Sequence, residues 1–180
     1  MFKFRKLTTK ELCSIAMLIA VTAVLGFISG KLRIGTFSKF SFNFISVYFT
    51  AVIFGPVVAG LVGLAGDFIS AIGTGPYLWM IGLIEFVYGF VFGILYYRKD
   101  AKTEKHSAFI IKSLAATLII AAVDIFAKSY ILMSVGFAPS PLGAAIAMRL
   151  PMIAVMSAIR LVVLMVMEKS VPRILSSIRK

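Results

Sequence analysis

The chain has 180 residues, 61% hydrophobic and only 14% charged, with a mean hydropathy of +1.02. A soluble domain carries about 25% charged residues, so a water-exposed globular fold is excluded, and little polar sequence remains for a second, soluble domain. The net charge of +12 raises a nucleic-acid reading, which the placement of the charges removes below.

A membrane-spanning helix needs about 20 mostly apolar residues. Six stretches approach that: roughly 12–29, 41–56, 57–73, 77–97, 108–135 and 143–167. The first follows Lys3, Arg5, Lys6 and Lys10. Its apolar run exceeds the about 7–15 residues of a secretory signal, and no convincing cleavage site follows, so it is expected to remain as a helix. Ala16 and Ala20 are a small-xxx-small pair that Ala23 extends, and such patches let helices approach closely. The stretch from Gly30 to Phe40 carries Lys31, Arg33 and Lys39. It reads either as a lid able to close over a site, its cations attracting an anionic ligand, or as an ordinary solvated loop.

The second and third spans are short, and a break is expected at Phe54-Gly55-Pro56, where proline has no N–H to continue a helix. Ala59 with Gly63 and Gly89 with Gly93 repeat the small-residue spacing, which suits either internal packing or an outside partner. After the Gly73-Thr74-Gly75-Pro76 turn come Tyr77 and Trp79. Aromatic residues at this position serve as interfacial anchors or as a stacking platform for a planar ring. In the sixth span Arg149 precedes Leu150-Pro151, where proline frees a backbone carbonyl and favours a bend.

With six spans and the N-terminus inside, twelve of the 19 basic residues are cytoplasmic: Lys3, Arg5, Lys6, Lys10, Arg98, Lys99, Lys102, Lys105, Lys169, Arg173, Arg179 and Lys180. This is the positive-inside bias, and it needs no nucleic-acid partner. Lys31, Arg33 and Lys39 share one outer loop and run against it. Lys112 and Arg160 fall towards the inner face, where long side chains snorkel.

Five ionisable residues inside spans are expected at one depth. At about 1.5 Å per residue, Asp67 lies roughly 15 Å up the third helix and Glu85 roughly 12 Å below the outer face. Asp124 lies about 24 Å up the fifth, Lys128 one turn higher, and Arg149 about 9 Å deep in the sixth. Charges in apolar segments are costly and mark sites or paths. They also pair to hold helices together, as Asp124 and Lys128 can at four-residue spacing.

No phosphate-binding glycine loop, H-E-x-x-H, G-x-S-x-G or Cys/His cluster is present in the sequence, so no metal or cofactor is expected. Six spans are few for a self-sufficient transporter built from inverted repeats. A binding protein that borrows energy from partners fits better than an enzyme.

Leu32-Arg33-Ile34, Lys39-Phe40-Ser41-Phe42, Phe54-Gly55-Pro56 and Gly66-Asp67 together resemble the substrate-binding S component of energy-coupling factor (ECF) vitamin transporters, the folate family most closely. Size and span number agree along nearly the whole chain, and the specific match covers mainly residues 30–70. The resemblance implies an all-α integral membrane protein of the bacterial cytoplasmic membrane. Residues 1–180 would form one compact bundle of six transmembrane helices with both termini cytoplasmic. It implies capture of a vitamin from outside, the first outer loop acting as a gate. It also implies docking through Ala16 and Ala20 on a transmembrane coupling subunit with two ATPases.

Folate suits the residues. A carboxylate such as Asp67 or Glu85 can accept the adjacent N–H donors of a pterin. Tyr77 or Trp79 can stack on the ring, and Arg33, Lys39 or Arg149 can meet the anionic tail. Asp124 and Lys128 complete the expected substrate-binding set. Another vitamin or precursor (pantothenate, a deazapurine) is the alternative, and a small membrane enzyme or a scaffold the alternative from a different class.

Overall fold

The computed structural model describes residues 8–34, 38–39, 41–72, 77–97, 106–136, 141–168 and 171. The basic residues Lys3, Arg5 and Lys6, those of 98–105 and those after Glu168 lie outside this set. So do Gly35, Phe40 and the Gly73-Thr74-Gly75-Pro76 turn.

Helix α1 spans Thr9–Lys31. It starts where the Thr8 side chain accepts from the Glu11 backbone N–H while the Glu11 carboxylate accepts from the Thr8 N–H, a reciprocal cap that satisfies two orphan donors. The following loop is not wholly irregular. Strands β1 (Arg33–Ile34) and β2 (Ser38–Lys39) pair antiparallel, with Arg33 opposite Lys39. Helix α2 covers Phe44–Phe54 and α3 covers Pro56–Ile72. The expected break falls between them at Gly55, whose φ of 90° is costly for any residue with a Cβ. Helix α4 runs over Trp79–Tyr96, α5 over His106–Val123 and α6 over Ser129–Ser134, the last two joined by a π turn at Asp124–Lys128. Helix α7 spans Leu142–Glu168, with Pro151 inside it.

α1, α4, the α5–α6 rod and α7 are long and apolar enough to cross a membrane. α2, with 11 residues, is only about 16 Å long. It falls well short of a hydrocarbon core of about 30 Å.

The tightest seam joins α3 to α4. A Cβ at Gly89 would strike the Ala59 carbonyl, one at Gly93 would strike Pro56, and one at Gly63 would lie 2.9 Å from the Glu85 carbonyl oxygen. The two small-residue pairs of the third and fourth spans thus pack against each other, letting the backbones approach closely. These contacts also fix the pairing as antiparallel. Below the seam's charged end, Tyr48, Phe92, Tyr96 and Phe109 form an aromatic core, with Tyr48 and Tyr96 ring centres 5.0 Å apart at near-perpendicular tilt.

Arg160 departs from expectation. Instead of snorkelling to a membrane face it is 5% exposed, on the buried stripe of α7 with Ala145, Arg149, Ile153, Met156 and Leu164. Eleven residues make just over three whole turns, so Arg160 shares the inward face of Arg149.

Candidate functional site

Glu85 and Tyr88 are three residues apart on α4 and therefore share a face. Both are buried. The π turn places Asp124 and Lys128 opposite them. Lys128 Nζ lies 3.3 Å from Glu85 Oε1 and 3.6 Å from Asp124 Oδ1. The Tyr88 hydroxyl donates to Asp124 Oδ1 at 2.7 Å, and the Lys128 ammonium stands 5.6 Å from the Tyr88 ring centre. Two carboxylates are thus bridged by one cation, with a phenol orienting one of them.

The π turn explains how α7 joins. A π turn disturbs the regular hydrogen-bond ladder, and the Asp124 carbonyl accepts from Arg149 Nη1 at 3.2 Å. The same Nη1 donates to Ser129 Oγ at 2.8 Å. Arg149 is buried, with its Nε lacking an acceptor. Pro151 lies two residues on and leaves the Ala147 carbonyl without its usual helical donor.

Asp67, on α3, is 5% exposed. It is near enough to Lys128 and to the Tyr77 hydroxyl to interact electrostatically with both. Its approach follows from the seam: Gly63, one turn earlier, rests against the Glu85 backbone. Tyr77 folds back over the same end of α3, its ring edge-on to Phe68 at 5.1 Å and its hydroxyl where a Cβ on Gly82 would sit.

The structure therefore brings Asp67, Glu85, Asp124, Lys128 and Arg149 to one place, with Tyr77 at its edge. Trp79 is 62% exposed at the start of α4. Arg33 and Lys39 face each other across the β1–β2 ladder in backbone register. Ala16 and Ala20 are exposed on α1, whereas Ala23 is buried.

Sequence reasoning missed two members. Tyr88 was findable, since it lies one turn from Glu85. Ser129 was not, because its link to Arg149 depends on the π turn.

Formally the five charges sum to −1, from three carboxylates and two cations. Such a site accepts hydrogen bonds well and favours a neutral, donor-rich group over an anion. Among the described residues no three His, Cys, Asp or Glu side chains converge to hold a metal.

Comparison with known proteins agrees with this architecture. The family described as ECF transporter, substrate-specific component, matches residues 10–168. No curated protein matches. Among solved structures, the crystal structure of FolT bound with folic acid superposes with a TM-score of 0.67 at 23% identity, covering 92% of this chain and 95% of that one. At that identity the likeness carries the fold. The family match covers most of the chain and carries more: this multi-pass membrane protein is a transport component, not an enzyme, and it belongs to the family of ECF transporter substrate-specific components.

Proposed function

We propose that the protein is the folate- or pterin-binding S component of an ATP-driven vitamin uptake transporter in the bacterial cytoplasmic membrane. The observation that carries this reading is the buried Glu85–Lys128–Asp124–Tyr88 network, with Asp67 beside it. A pterin ring offers adjacent amino and ring N–H donors, and Asp67 or Glu85 accepts them together. The net negative charge of the network favours the neutral ring over the anionic glutamate tail. The tail then points outwards to Arg33 and Lys39, with Arg149 as the nearer cation. Tyr77, already against the site, is better placed than Trp79 to cover the ring. FolT, one of the structural neighbours, is bound with folic acid in its crystal structure, which supports the ligand class.

Arg33 and Lys39 lie on the hairpin that gates the site from outside. Both termini face the cytoplasm. Ala16 and Ala20, exposed on α1 beside an apolar groove that includes Met17, Val21 and Phe49, dock on a transmembrane coupling subunit that brings two ATPases. Small residues there permit close helix contact.

Competition binding on the purified protein tests the ligand. Folate should displace a bound pterin probe, and pantothenate, riboflavin and a deazapurine should not. Displacement by one of those three and not by folate would reassign the substrate. Co-purification with ATPase subunits tests the coupling and should be lost when Ala16 and Ala20 are replaced by Leu.

A further inference from the structure

Arg160 is the buried cation that the network leaves unused. Lys128 is committed to Glu85 and Asp124, and Arg149 to the Asp124 carbonyl and Ser129. Arg160 is 5% exposed, and its Nε has no acceptor. Among the described residues no carboxylate stands within ion-pair distance of it. Its guanidinium carbon lies 5.7 Å from the centre of the Phe44 ring, and its charge is near enough to be felt at the Tyr88 hydroxyl, which donates to Asp124. Side chains on a helix lean towards its N-terminus, so Arg160 reaches back along α7 towards Arg149 and the network. A buried guanidinium with its Nε unsatisfied and an aromatic ring as its recorded neighbour is costly. The attraction of the Phe44 ring offsets part of that cost, and a hydrogen-bond acceptor is still missing.

We infer that Arg160 forms the floor of the ligand site and donates from its guanidinium to the acceptor edge of the bound ring, its oxo group. This rests on the pterin reading above and divides the ring between two sides of the site. Carboxylates on α3 and α4 take the donor edge, and Arg160 on α7 takes the oxygen. Arg160 is thereby the residue that separates rings bearing an oxo group from rings bearing an amino group at that position. An amino group there would face a donor with a donor and leave Arg160 unmatched.

The test measures the dissociation constants of folate and of its analogue with the ring oxo group replaced by an amino group. Wild type, Arg160→Lys and Arg160→Met are compared in detergent, each with its thermal midpoint. Wild type should prefer folate by at least ~10-fold, as a lost hydrogen bond to a charged group predicts. Arg160→Met should weaken folate alone and so lose the part of that preference owed to the oxo group, leaving the part owed to the ring N–H that the analogue also lacks, and Arg160→Lys should lose less. Removing an unpaired buried charge should leave the midpoint of Arg160→Met unchanged or raised, so loss of preference will not reflect unfolding. An unchanged ratio of the two constants in Arg160→Met overturns the inference while leaving folate binding intact. Failure of the wild-type protein to bind either compound removes the pterin reading and this inference with it.

Discussion

Two tyrosines on one face of α4 show how one helix serves two environments. Tyr96 lies in the aromatic core, against Tyr48 and Phe109, and its hydroxyl donates to Ser113 Oγ at 2.8 Å. Tyr88, eight residues earlier, donates at 2.7 Å to the Asp124 carboxylate, under the Lys128 ammonium. The side chain, the helix and the bond length are nearly the same. The acceptor differs: at one end a neutral hydroxyl closes a polar tip inside a packed core, at the other a phenol fixes the direction of a charge. On the proposed reading, stability belongs to the first end and recognition to the second.

Breaking the charged end should have the largest effect. Asp124→Ala removes the partner of both Tyr88 and Lys128 and leaves a buried cation short of one carboxylate. Loss of a buried ion-pair partner costs about 3–5 kcal/mol, so the thermal midpoint in detergent should fall steeply and folate binding should disappear. Phe92→Ala breaks the aromatic end instead. Its cost should sit near the low end of phenylalanine truncations, about 3 kcal/mol, because lipid already solvates apolar groups in the unpacked state. The protein that remains folded should bind folate with unchanged affinity, and a matching drop in affinity would show that the two ends are not separable.

The tyrosines themselves give the finer comparison. Tyr88→Phe loses a hydrogen bond to a charged group, about 1.5–3 kcal/mol, and should weaken folate binding as Asp124 loses its orientation. Tyr96→Phe loses a neutral bond, about 0.5–1.5 kcal/mol, and should lower the thermal midpoint slightly without changing affinity. Equal effects of the two on affinity would erase the distinction.

The division was partly legible in the sequence. Hydropathy located the helical segments, α5 and α6 as one, and Pro56 placed the α2–α3 break, because both signals are local. The shared depth of Asp67, Glu85, Asp124, Lys128 and Arg149 followed from helical rise alone. What stayed hidden depended on contacts between helices. The π turn at Asp124–Lys128 has no signature in its residues, and the Asp124 carbonyl acquires Arg149 only when α7 packs against it. The α3 and α4 glycines had the spacing for close contact, but only the fold shows that they choose each other. Arg160 was misread for a related reason. A long cation towards a span end suits both snorkelling and burial, and the register of the α7 stripe decides between them. The two-residue pairing of Arg33–Ile34 with Ser38–Lys39 is too short to leave a strand pattern.

The central claim is that the charged end of the bundle is the pterin site. Titration calorimetry of folate into wild type and Glu85→Gln, purified side by side, tests it most directly. One-to-one binding to wild type is expected, with a loss of at least ~10-fold in affinity when the carboxylate becomes an amide. Equal folate affinity in the two proteins, or no folate heat from a folded wild type, would contradict it.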